Sequence, residues 1–307
     1  MEKEKKIWEE DMKSCTLCPR NCKVDRFSGN TGFCRVSAKL KAARAALHFW
    51  EEPCISGTRG SGAVFFSGCS MGCVFCQNEP ISHGKTGKEI TVGHLAEIFL
   101  KLQDEKKAHN INLVTPTHYV PQIAEALEIS KKQGLMIPIV YNSSAYEKAE
   151  TLKRMEGLVD IYLPDFKYLD REIAKKYSHA EDYGFWAKQA LKEMVRQVPF
   201  PKFGEDGMMQ KGVIVRHLLL PGCRKDSKKV LQYLKDTYGN HIYISLMNQY
   251  TPMPEISQYP ELNRKITKRE YEWVIDYALS IGIENGFIQE GNTAQESFIP
   301  PFDGEGL

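Results

Sequence analysis

From residue 61 onward, short apolar runs alternate with segments of helical periodicity, and this alternation limits the possible folds most. The runs lie at 63–67, 111–115, 137–141, 160–163, 213–219 and 242–246, with a shorter one at 286–289. They are continuously apolar, as strands covered on both faces are. The stretches between them carry helix signals. Thr91 precedes Val92, Leu95, Phe99 and Leu102 on one helical face. Pro121 suits a first helical turn and Gly134 an end. Residues 183–198 keep helical spacing, Asp226 is placed to cap Val230, Leu231 and Leu234, and Gly239 closes that segment. Thr267-Lys268-Arg269-Glu270 has the form of a capping box. Repeated β–α units imply a parallel sheet with right-handed crossovers. Six good strands in residues 61–307 predict an α/β fold, a partial (β/α)6 TIM-like barrel instead of a full eight-strand one. In such sheets chemistry collects at the carboxyl ends of the strands.

The first of those ends carries Gly68-Cys69-Ser70-Met71-Gly72-Cys73-Val74-Phe75-Cys76, a C-x3-C-x2-C pattern with no fourth cysteine nearby. Three thiolates hold three corners of a [4Fe–4S] cluster, whose full complement is four ligands. One iron is then open to a group that is not protein. Cys73 and Cys76 alone would also fit a redox pair or half a zinc site, but Cys69 suits neither. Residues 1–60 differ from the rest and hold four further cysteines, Cys15, Cys18, Cys22 and Cys34, spaced C-x2-C-x3-C-x11-C. Four thiolates close a site for zinc or for a second Fe–S cluster. Cys15-x-x-Cys18-Pro19 has the form of a zinc knuckle, so structural zinc is the first reading. The segment has little core of its own, and a metal would help it fold. The chain therefore divides into a small Cys-rich N-terminal metal-binding segment, 1–60, and a barrel, 61–307.

Composition narrows the setting. No run approaches the ~18 apolar residues that span a bilayer. Met1-Glu2-Lys3-Glu4-Lys5-Lys6 is charged throughout, unlike a secretory signal, so a cytoplasmic protein is expected. Nine cysteines in a reducing compartment point to metal or catalysis, not disulfides. A net charge of +2 gives no footprint for nucleic acid. The glycines at 57–62 precede a strand, so they are not a dinucleotide loop.

The cysteine loop resembles that of the radical SAM superfamily, in which the open iron chelates S-adenosylmethionine (SAM). Together with the N-terminal cysteines, Glu51-Glu52-Pro53-Cys54, Thr115-Pro116-Thr117-His118 and Gln289-Glu290-Gly291-Asn292, it is similar to the PflX-like group, related to the activating enzyme of pyruvate formate-lyase. The resemblance implies reductive cleavage of SAM to a 5′-deoxyadenosyl radical, which abstracts hydrogen from a substrate. It implies an electron donor such as flavodoxin or ferredoxin, and a glycyl-radical enzyme or other protein as target. Other peptides, RNA or small molecules are alternative targets, and a non-catalytic iron–sulfur electron-transfer or scaffold protein is the alternative class.

Candidate SAM contacts lie at the other strand ends: Thr115, Thr117 and His118; Asn142 and Ser144; Asp165 and Lys167; Arg216; and Gln249. Thr115-Pro116-Thr117 replaces the Gly-Gly-Glu segment usual in activating enzymes, and is also a plain turn. Asp165-Phe166-Lys167 is similar to their Asp-x-Lys; a cation there suits the methionyl carboxylate. Arg216 alternates with apolar neighbours, points into the barrel on that pattern, and needs an anionic partner. His48 to Gly57 either contacts substrate near the barrel entrance or is a helix-to-strand connector. Cys54 and Cys223 are left over as apolar fillers, with Cys223 near a strand end.

Overall fold

Seven parallel strands form the main wall of the fold; six are apolar and largely buried beneath helices, and the short last one at the edge is largely exposed. The computed structural model describes residues 8–289 and 300–307. In chain order the strands are β1 (Lys41–His48), β2 (Ser61–Phe66), β3 (Lys88–Glu89), β4 (Ile111–Val114), β5 (Ile139–Ser143), β6 (Ile161–Pro164), β7 (Lys202–Phe203), β8 (Met209–Leu218), β9 (Tyr243–Met247) and β10 (Gly286–Ile288). The spatial order is β10-β9-β8-β6-β5-β4-β2-β1-β3, with β7 beside β8. From β2 to β10 every neighbour on that path is parallel. All seven runs expected from sequence are strands, with ends shifted by a few residues. Gln289 is the last described residue there, and the 290–292 part of the sequence pattern lies outside the described residues.

Helices cover the outer face. Val92–Asp104 starts where Thr91 accepts a hydrogen bond from the His94 N–H, and Lys268–Ser280 starts on the expected capping box. Val120–Lys132 has Pro121 in its first turn, and Tyr183–Gln197 buries Ala187, Ala190, Leu191 and Met194. Asp226 is a correction. The helix Arg224–Tyr238 begins before it, and its buried carboxylate accepts the N–H groups of Leu169 and Asp170 instead. A loop with unpaired N–H groups claimed the carboxylate, and the helix went uncapped by a side chain.

The sheet also crosses position 60. β1 pairs antiparallel with β2, from Ala42↔Phe66 to His48↔Ser61. Lys41-Ala42-Ala43-Arg44-Ala45-Ala46 is rich in the best helix former, but pairing and burial beside β2 override that propensity. Residues 48–57 therefore join two strands, not a helix to a strand. His48 meets the first residue of β2, so this connection sits at the amino end of the parallel strands, opposite the cysteine loop. It forms the floor of the barrel, not its entrance. Cys54 and Ile55, in its single turn Pro53–Ser56, pack on Val140, Ile161, Leu163 and Ile214 from the strands.

Candidate active site

The strand period of two sorts side chains between the helices and the interior. Val64, Tyr141, Tyr162 and Val215 join the helix-facing core. The alternate positions Asn142, Asp165, Arg216 and Ser245 line a cavity of about 650 Å³ that runs from the cysteine loop down to Glu51 and Glu52. That volume is within the range of small-molecule sites.

Arg216 is the hub of the interior. Its Nε donates to Asp165 Oδ1 (3.0 Å), Nη1 to Glu51 Oε2 (2.8 Å) and Nη2 to Asn142 Oδ1 (2.6 Å). Glu51 Oε1 also accepts from Asn112 (2.9 Å) and Asn142 (3.2 Å). Lys167 Nζ donates to Asp165 Oδ2 at 2.8 Å. Two cations thus face two carboxylates, so the interior carries fixed geometry with little net charge. Burial opposes ionisation of Asp165, but Lys167 and Arg216 hold it below the usual carboxylate range. Burial likewise works against Lys167, and Asp165 with Cys73 outweighs it, keeping the ammonium charged. The third carboxylate, Glu52, has no cation of its own, and burial pushes its pKa up. The anion that buried Arg216 requires comes from the floor segment and β6.

Thr115 leaves β4 with φ +61°, rare for a β-branched residue, while its N–H still donates to Asn142 O at 2.9 Å. At the far side, Gln77, next to Cys76, donates to Gln249 O (3.0 Å), and Gln289 donates to Gln249 Oε1 (3.0 Å). Of the sequence-derived SAM candidates, Thr115, Asn142, Ser144, Asp165, Lys167, Arg216 and Gln249 line the cavity. Thr117 and His118 do not. Thr117 Oγ1 donates to buried Glu147, which Tyr141 also engages at 3.0 Å. His118 Nε2 bonds Ser67 O at 2.8 Å behind the cysteine loop, and burial with nearby Arg26 lowers its pKa to about 3. A turn of Thr-Pro-Thr carries the next residues outward into a short 3-10 turn, away from the cavity.

Cys69, Cys73 and Cys76 border the top of the cavity. Burial pushes Cys73 up and Cys76 to about 12, so as free thiols they are poor nucleophiles. A coordinating metal removes that proton outright. The donor set fits a cluster. Cys69 Sγ accepts the Met71 N–H (3.4 Å), Cys73 Sγ the Ser178 hydroxyl (2.9 Å) and Cys76 the Asn78 N–H. The N-terminal sulfurs are served likewise: Cys18 by the Arg20 N–H, Cys22 by the Phe33 N–H (3.3 Å), Cys34 by the Val36 N–H and Cys15 by Arg26 Nη1 (3.9 Å). Donors aimed at sulfur stabilise thiolate and tune iron–sulfur centres. Among the described residues, no three His, Cys, Asp or Glu side chains converge as ligands of a single metal ion would. A [4Fe–4S] cluster does not require that, because each thiolate takes its own iron. Cys54 is buried and Cys223 half-buried, with thiols pushed up to about 12 and about 11; Cys223 does not reach the cavity wall.

Residues 63–200, from β2 through the second helix after β6, match the family model of the radical SAM superfamily. This stretch, under half of the chain, is similar to that superfamily. Proteins of that superfamily use a [4Fe–4S] cluster and SAM. The chain is 29% identical over 281 residues to a protein of Methanocaldococcus jannaschii described as uncharacterized, covering 87% of this chain and 74% of that one. Its fold is similar to methylornithine synthase (TM-score 0.52, 15% identity, 80% of this chain and 65% of that one). It is also similar to Streptococcus suis SuiB bound to SAM (TM-score 0.50, 13% identity, 73% and 49%). The chain thus spans less than two thirds of each of these solved chains. Among the described residues no helix is long and apolar enough to cross a membrane.

Sequence reasoning missed Glu51 as the partner of Arg216, Gln77 as the tie to Gln249, and Arg20 and Ser178 behind the cysteine loop. Only Gln77 carried a signal, its place directly after Cys76.

Proposed function

We propose that Cys69, Cys73 and Cys76 would hold three irons of a [4Fe–4S] cluster, and that the cavity beneath would take SAM. The observation that carries this reading is the placement of the three-cysteine loop at the carboxyl end of β2, above a cavity walled by Lys167, Asp165, Asn142 and Arg216. When bound, the reduced cluster and SAM supply one-electron cleavage of the sulfonium and the hydrogen abstraction that follows. The chain supplies the rest. Asp165 aims the Lys167 ammonium toward the cysteines, where it suits the methionyl carboxylate. Thr115, Asn142, Ser144 and Gln249 offer neutral hydrogen-bonding groups to the amine, ribose and base. Arg216 and Glu51 hold the floor and keep water out. Thr117 and His118 brace the wall and the loop from behind.

The activity is of the activating-enzyme type, with a flavodoxin or ferredoxin as donor and a glycyl-radical enzyme as target, in the cytoplasm. The four N-terminal cysteines hold a separate metal group; that no three of these described residues converge as ligands of one ion favours a second iron–sulfur cluster over zinc. Anaerobic reconstitution, reduction and addition of SAM should yield 5′-deoxyadenosine. A glycyl signal should appear on a partner enzyme. An intact, reduced cluster that leaves SAM uncleaved would instead indicate the electron-transfer or scaffold class.

A further inference from the structure

Arg20 stands between Cys18 and Cys22, yet its guanidinium reaches out of that segment. Nε donates to Ser70 O at 2.8 Å and Nη2 to Met71 O at 3.3 Å, both in the Cys69–Cys76 loop. Nη1 donates to His179 O and Nη2 also to Ser178 O (3.3 Å), at the end of the helix Arg171–Ser178. Four carbonyls from two segments therefore share one cation. The last carbonyls of a helix lack internal partners and carry its negative pole, so a guanidinium there is favoured twice. The same helix end touches the loop directly: Ser178 Oγ donates to Cys73 Sγ, and Tyr177 O accepts the Val74 N–H at 2.9 Å.

Arg20 is itself held by the N-terminal cysteine segment. Its backbone N–H serves Cys18, and its guanidinium lies 3.7 Å from the Phe33 ring centroid and 5.1 Å from that of Tyr146. Phe33 precedes Cys34 and donates its N–H to Cys22. The two segments also meet where Gly68 has φ +92°; a Cβ there would lie 2.6 Å from Cys34 O.

We propose that Arg20 is a positioning residue for the Cys69–Cys76 loop, and that it transmits the order of the four N-terminal cysteines to that loop. The proposal rests on the cluster assignment only for its iron readout. Lysine cannot replace it, since an ammonium has neither the planar fork nor the stacking face.

The test compares wild type, Arg20→Lys and Arg20→Ala as full chains. Amide hydrogen exchange is read over residues 70–76 and 177–180 before reconstitution, and loss of iron to a chelator after it. Both variants should exchange those amides roughly tenfold faster, with the barrel amides of β5 and β6 unchanged. Both should release iron faster and show an altered signal of the reduced cluster. Cys18→Ala should speed the same exchange in wild type but add little in Arg20→Ala. Wild-type exchange in both Arg20 variants would overturn the proposal, whatever the cluster does. Should Arg20→Ala not fold, Arg20→Lys decides by the same comparison. Additive effects of Cys18→Ala and Arg20→Ala would overturn the transmission. A wild type that takes up no iron would sink the cluster assignment alone, because exchange still reports on Arg20.

Discussion

The two cysteine groups are built differently. Cys69, Cys73 and Cys76 lie on a loop held mainly by the large fold: β2 before it, Ser178 at a helix end behind it, Gln77 and the β9 end beyond it. The N-terminal four lie in a segment with a small core of Met12, Cys15, Leu17 and Ala38, where two of the buried side chains are themselves near or among the thiols. The difference teaches that a functional loop can borrow its shape from a large fold, whereas a small one needs its ligands to supply it. Removing its own metal should therefore leave the first loop largely in place, whereas loss of metal from the N-terminal four should loosen their segment and, through Arg20, the Ser70 and Met71 side of the first loop.

Several substitutions would break or sharpen that contrast. The largest effect belongs to Cys73→Ala, which should abolish formation of 5′-deoxyadenosine while circular dichroism and thermal unfolding stay close to wild type. Next is Arg216→Ala. It leaves Glu51 and Asp165 as buried carboxylates short of a partner, and should cost about 3–5 kcal/mol in denaturant unfolding. Adding Glu51→Gln should recover part of that loss, because the two side chains share one network. Cys18→Ala should empty the N-terminal site, seen as metal per chain. It should also make the segment before β1 sensitive to proteolysis, with the barrel still folded.

The smallest expected effect is a pH dependence. Burial raises Glu147 to about 7, above its unfolded value, even though Thr117 and Tyr141 donate to it. The stability tied to its protonated form is complete below about pH 4.5 and is lost as pH rises through about 7. The total is roughly 3 kcal/mol at most. Glu147→Gln keeps an acceptor for both donors and removes the titration. Its melting temperature should exceed that of wild type at about pH 8 and match it more nearly at about pH 5. Equal pH profiles would show that the carboxylate is ionised as cheaply as one in water.

Much of this was legible before any coordinates. Each parallel strand appeared as an apolar run, because burial on both faces leaves no room for polar alternation. Among the polar exceptions, Asn142, Asp165 and Arg216 face the cavity, whereas Asn112 and His217 do not line it. β1 was not legible, since its alanines favour helix in isolation and only the β2 edge makes them a strand. Glu51 was out of reach for a related reason: it meets Arg216 across 165 positions, through a floor that exists only once β1 has paired. Thr117 and His118 were placed on the correct strand end but on the wrong side of it. A positive φ at Thr115 redirects the chain there, and spacing alone does not report dihedral angles. Arg20 carried no signal in the cysteine spacing, since its four carbonyl partners come from two distant segments.

One spectroscopic comparison bears most directly on the open iron of the three-cysteine loop. The reduced, reconstituted protein is examined by electron paramagnetic resonance with and without SAM, in wild type and in chains lacking either cysteine group. SAM should shift the signal of wild type, and also of the chain with Cys15, Cys18, Cys22 and Cys34 replaced by alanine. The shift should vanish when Cys69, Cys73 and Cys76 are replaced. A SAM-responsive signal that survives loss of the three and disappears with the four would place the working cluster in the N-terminal segment and contradict the assignment.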